Sequence, residues 1–140
     1  MIAISLPSTR GSWSTMSFTS TLYLHPVLEL LLAKVPSQLQ PEIQLGLQEA
    51  LVNAAKHGNK LDPSKTIVVQ FLVNREGYYW IISDEGCGFS PDSDCKCKPT
   101  ELLPSDDEEN GRGLCLLHHI FDRVQWDKDG TQLTLCKRLE

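Results

Sequence analysis

Glu49, Asn53 and His57 stand four residues apart in a stretch without Pro or Gly, and their types suit chemistry. A carboxylate such as Glu49 can accept a proton from an attacking hydroxyl or water. The Asn53 carbonyl is the kind of hard oxygen that magnesium prefers. His57, a lone histidine at the end of the stretch, is read as a structural hydrogen-bonding residue rather than a catalytic one. At about 100° per residue the three make a slowly drifting polar stripe on a helix. A merely solvated stripe usually carries long Lys and Glu side chains, whereas Asn and His are poor helix formers.

A helix must carry that stripe, and Ile43, Leu47, Leu51 and Ala54 supply its opposite, apolar face. It is expected to begin near Ser37 or Pro41, run to about His57 and close at Gly58-Asn59. Two glycine motifs follow. Asp84-Glu85-Gly86-Cys87-Gly88-Phe89 comes directly after a strongly apolar strand, so the Asp84 carboxylate sits at a strand end, where loops carry chemistry. Ordinary turn glycines are the plain alternative. Gly111-Arg112-Gly113-Leu114 leads into an apolar helix whose free N–H groups can bind phosphate oxygens. Arg112 suits a phosphate or an acidic partner equally. There is no Walker lysine motif, so a P-loop fold is not supported.

The remaining elements read in order. Residues 1–17 are Ser-rich and expected to be loosely held, ahead of a single domain over 18–140. Residues 19–24 alternate as a strand, and residues 27–35 form a short helix with Pro26 suited to its first turn. Residues 66–73 are a strand with Ile67, Val69, Phe71 and Val73 on one face; residues 78–83 return as a central strand, apolar on both faces. Residues 90–110 hold three prolines and an acidic run and read as a mobile loop over a site. Residues 114–121 are a helix, with His118 and His119 as structural or surface residues. Residues 124–126 and 131–137 are strands joined through Asp129-Gly130. The natural arrangement is a sheet with helices on one face.

Composition narrows the setting. The chain has 140 residues, a hydrophobic fraction of 41% and a charged fraction of 22%, as an ordinary globular domain does. Its net charge of −5 argues against a general binder of nucleic acid or anionic membrane. No secretory signal or membrane span is visible. Five cysteines at irregular spacing do not look like a disulfide framework, so a reducing cytoplasm is the expected compartment; Cys95-Lys-Cys97 reads as a loop feature, without a partner pair for metal.

Read together, Glu-x-x-x-Asn-x-x-x-His, Asp-x-Gly-x-Gly-Phe and Gly-x-Gly-Leu resemble the N box and the two glycine boxes of the Bergerat-fold ATPases, the superfamily of gyrase and the histidine kinases. The form Glu-Ala-Leu-Val-Asn-Ala-Ala-Lys-His-Gly-Asn is most similar to the anti-sigma-factor serine kinases. The resemblance covers about residues 18–138 and implies an α/β (α+β) two-layer sandwich with a mixed sheet and helices on one face. It implies ATP with Mg²⁺ as cofactors and Glu49 as catalytic base. It implies Asn53 as metal ligand and Asp84 as acceptor from the adenine amino group. Gly86 and Gly88 would then lie where backbone approaches the ring, and Gly111, Arg112, Gly113 and Leu114 at the phosphates. The implied partners are a STAS-type anti-anti-sigma protein, phosphorylated on serine or threonine, and a sigma factor, with a homodimer joined through the 19–24 strand. Two other readings stay open: a nucleotide-dependent binding module with little catalysis, and a detached histidine-kinase ATPase domain. Against the last, no phosphoacceptor hairpin precedes the N box.

Overall fold

A computed structural model describes residues 3–5, 13–87 and 108–139, with side chains from 13 to 87 and from 113 to 139. Six strands form one sheet: β1 (Ala3–Ser5), β2 (Ser14–Thr19), β3 (Thr66–Val73), β4 (Gly77–Ser83), β5 (Arg123–Trp126) and β6 (Gln132–Arg138). Their order is β1-β2-β3-β4-β6-β5, and every pairing is antiparallel. The helices are α1 (His25–Leu32), α2 (Gln40–Val52) and α3 (Glu108–Ile120).

Register lines up one apolar row across five strands: Met16 opposite Val69, Val69 opposite Ile82, Ile82 opposite Leu133, and Leu133 opposite Trp126. This face meets Leu28 and Leu31 of α1, Ile43, Leu47 and Leu51 of α2, and Leu117 and Ile120 of α3 in one core. Full burial of such a side chain stabilises by roughly 1.5–3 kcal/mol. Trp80 carries the centre, stacked on Tyr78 at 6.1 Å and edge-on to Phe121 at 5.7 Å. Gly46 lets Phe121 approach α2, because a Cβ there would overlap the Phe121 ring. The result is the expected two-layer α+β sandwich.

Several expectations are corrected. The sheet is antiparallel among the described residues, not mixed: tight turns at Arg75-Glu76 and Asp129-Gly130 make hairpins of β3–β4 and β5–β6, and β4 pairs β6 antiparallel as well. The strand expected over 19–24 lies earlier, at Ser14–Thr19, because Met16 and Phe18 point into the core while Leu22 and Tyr23 are exposed. It is no edge available to a second copy, since β1 pairs with it on one side and β3 on the other. Strand β1 also places residues 3–5 of the N-terminal segment in the sheet. Val73 shares the face of Ile67, Val69 and Phe71, as expected, but is exposed at the end of β3.

Helix α3 begins at Glu108, six residues before the expected start at Leu114. Gly111 and Gly113 therefore lie inside a helix rather than ahead of it. Glycine there costs about 0.5–1 kcal/mol relative to Ala, which the buried Leu114 and Leu117 on the same helix offset. The loop expected over 90–110 falls outside the described residues up to 107, as do Gly88, Cys95 and Cys97. Cys87 and Cys136 are free thiols, the first exposed and the second buried.

Candidate functional site

The stripe-bearing helix does not stay α-helical to its end. After Val52 it widens into a π-helical turn, Asn53–Gly58, in which the Asn59 N–H donates to the Ala54 carbonyl at 2.9 Å. Single π turns inside α-helices often mark functional sites. The chain leaves the turn through Lys60 and Leu61, both left-handed with φ of 56° and 57°. Gly58 is not the left-handed residue expected of it. It is glycine for room: a Cβ on Gly58 would overlap the Asp84 carboxyl, and a Cβ on Gly86 would overlap the Gly58 carbonyl. The end of the N box and the first glycine box thus meet backbone to backbone.

Asn53, Asp84 and Leu114, one from each box, line a single cleft together with His57 and Gly58. Its wall is otherwise mostly apolar, with Ala50 and Ile82 among the contributors, which suits a flat, largely apolar ligand group. Asp84 follows β4 and is half-buried. Its N–H donates to the Thr131 carbonyl at 2.9 Å, and its Oδ1 accepts from the Gly86 N–H at 2.8 Å. Burial raises the Asp84 pKa above its ordinary 3.8, and the nearby Asp127 adds to the rise; the Gly86 hydrogen bond and Lys65 oppose it. A carboxylate acceptor in an apolar wall reads a hydrogen-bond donor strongly, because water competes poorly there.

Glu49 stands one turn before Asn53 but is placed differently. Its carboxylate lies against Gly113 of α3, so closely that a Cβ at 113 would overlap it. The N box and the second glycine box therefore touch through Glu49 and Gly113. Gly111 and Arg112 are placed only by backbone, within α3. The free amides of a helix belong to its first turn, which here begins at Glu108, so the Gly113 amide sits inside the ladder rather than at its open end. His118 and His119 are exposed.

Trp126, Gly130 and Thr131 also line the cleft, and none was singled out as a site residue from sequence. The pairing of Ser83 with Gln132 brings the β5–β6 turn beside Asp84. Within that turn, Gly130 has φ of 73° and Asp127 Oδ1 accepts from the Thr131 and Gln132 amides. The only signal was the Asp129-Gly130 turn itself, which says nothing of what it lies beside.

Asp84, half-buried at the end of a central strand, and Asn53, on the facing helix end, thus share one mostly apolar cleft, with Glu49 one turn before Asn53. The sequence profile of the histidine kinase-like ATPase domain matches residues 24–137, and this chain belongs to that family. An ATPase domain implies ATP as its ligand. Two similar proteins are each called anti-sigma F factor. One, from Anoxybacillus flavithermus, is 27% identical over 101 residues, which cover 70% of this chain and 68% of that protein. The other, from Geobacillus kaustophilus, is 26% identical with the same coverage. Among the described residues no cluster of three or more His, Cys, Asp or Glu could hold a metal ion, and no helix is long and apolar enough to cross a membrane.

Proposed function

We propose that this chain is an ATP-dependent protein serine/threonine kinase that acts as an anti-sigma factor. The observation that carries this reading is the meeting of Asn53, Asp84 and Leu114 in one cleft, within a family whose similar members include anti-sigma F factors. Asp84 accepts the adenine amino group, while Gly58 and Gly86 leave room for the Asp84 carboxyl and for the close backbone contact beside it. Asn53 offers its carbonyl to Mg²⁺, a fit consistent with an ion that takes few protein ligands when phosphates supply the rest. When bound, Mg²⁺ neutralises charge on the phosphates. Glu49 takes the proton from the attacking hydroxyl of the partner protein. Gly111, Arg112, Gly113 and Leu114 serve the phosphate end, with Gly88 on the base side. For the Gly113 amide to reach a phosphate, the first turns of α3 must open.

The partner is a STAS-type anti-anti-sigma protein, whose phosphorylated hydroxyl would carry close to two negative charges and break the interface between them. A sigma factor is the second partner, and the compartment is the cytoplasm. The test is incubation of the protein with γ-labelled ATP, Mg²⁺ and a panel of STAS-domain proteins. Label should move to one of them and stay off the panel when ATP alone is present. A nucleotide-dependent rise in melting temperature without transfer to any panel member would leave a binding module in place of a kinase; no rise at millimolar ATP would remove both.

A further inference from the structure

Asn59 is fully buried, and no part of the proposed chemistry uses it. Its side chain joins three strands to the end of the N-box helix. Nδ2 donates to Ser20 Oγ at 2.7 Å, just past β2, and to the Thr66 carbonyl at 3.0 Å, at the start of β3. Oδ1 accepts from the Glu85 N–H at 2.7 Å, just past β4. The backbone of the same residue closes the π-helical turn through Ala54. Every donor of the amide is satisfied, and the Ser20 hydroxyl passes the network on to the Lys65 carbonyl at 3.2 Å. A buried, fully satisfied polar network specifies one geometry, because any displacement leaves a group unpaired in a low-dielectric site.

Glu85 is the residue after Asp84. With the Asp84 N–H held by Thr131 and the Gly86 N–H held by Asp84 itself, Asn59 supplies the remaining anchor of three consecutive amides. We propose that Asn59 is a positioning residue for base recognition. By holding the Glu85 amide it fixes the direction of the Asp84 carboxylate, and so sets the preference for a purine with an amino group over one with a carbonyl at that place. The proposal rests on the nucleotide-binding reading above.

The test measures dissociation constants for ATP and GTP with Mg²⁺, alongside thermal unfolding, in the parent, Asn59→Ala and Ser20→Ala. The parent should prefer ATP. Asn59→Ala should lower that preference by about tenfold, the equivalent of one lost buried hydrogen bond, mainly through weaker ATP binding, with GTP affinity little changed. Ser20→Ala removes a partner of Nδ2 but leaves the Glu85 contact. It should melt earlier and keep the parent preference. If Asn59→Ala shows no cooperative unfolding, Asn59→Asp decides, because it retains the Oδ1 acceptor: an unchanged ATP preference at lower stability supports the proposal, and a lost preference overturns it. An unchanged preference in folded Asn59→Ala, or an equal loss in Ser20→Ala, makes Asn59 structural only and overturns the proposal while leaving nucleotide binding intact. A parent that binds neither nucleotide overturns both.

Discussion

At the Asp84 end of the cleft, three consecutive amides are taken by Thr131, Asn59 and Asp84, and Gly58 and Gly86 are packed backbone to backbone. At the Glu49 end, Gly113 of α3 packs closely against the Glu49 side chain of α2. The first end is set by backbone and buried amides that cannot shift without leaving groups unpaired. The second is set by a side-chain contact, beside a helix that contains two glycines. In the proposed reading, the end that recognises the base is built before ligand arrives, and the end that serves the phosphates is the one able to rearrange. That division suits a kinase that must hold nucleotide firmly yet complete its site only around a partner's hydroxyl.

The largest expected effect tests the Glu49 end. Glu49→Gln keeps size and most hydrogen bonding but removes the proton acceptor. Single-turnover phosphotransfer should fall by roughly 10²–10⁴ with ATP affinity nearly unchanged; full activity would take Glu49 out of the chemistry. Asn53→Ala, in contrast, should lose Mg²⁺-dependent binding and transfer together, as titration calorimetry with and without the ion would read.

Next comes the rigid end. Gly86→Ala forces a Cβ into the Gly58 backbone, and a backbone cannot swing aside. Overpacking of this kind costs about 1–3 kcal/mol, measurable by denaturant unfolding. If the variant is as stable as the parent, the two ends are not held differently.

Asp84→Asn separates stability from recognition. Since burial raises the Asp84 pKa above 3.8, the folded chain binds that proton more tightly than the unfolded chain. The resulting stabilisation is full below pH 3.8 and is lost as pH rises through the raised value. Asn is neutral throughout, so the ligand-free variant should melt higher than the parent at pH 7, with the gap closing in acid. Saturating ATP should reverse the order at pH 7. A variant less stable than the parent at neutral pH would mean that the carboxylate is stabilised where it sits.

The smallest expected change in stability is that of Gly113→Ala. The new Cβ meets the Glu49 side chain rather than backbone, and Ala gains about 0.5–1 kcal/mol of helix preference over Gly. The melting temperature should hold or rise slightly while phosphotransfer drops, because the base has been displaced. A loss of stability matching that of Gly86→Ala would erase the distinction between the two ends.

Much of this was legible in the chain alone, and the reason is local. Strand Thr66–Val73 and its return were readable because alternation and a tight turn act between near neighbours. The Asp129-Gly130 turn was readable because a left-handed residue there favours glycine. The spacing of Glu49 and Asn53 placed them one turn apart on any helix. What only the tertiary structure decided depends on residues far apart in sequence. The role of Gly58 comes from Asp84 and Gly86 across the cleft rather than from its own φ. The π-helical turn exists because Asn59 is drawn into a buried network with Ser20, Thr66 and Glu85. The place of Thr131 beside Asp84 follows from β4 pairing with β6. None of these has a periodic or compositional trace, because each is a contact between surfaces that exist only once the sheet and helices have closed on one another.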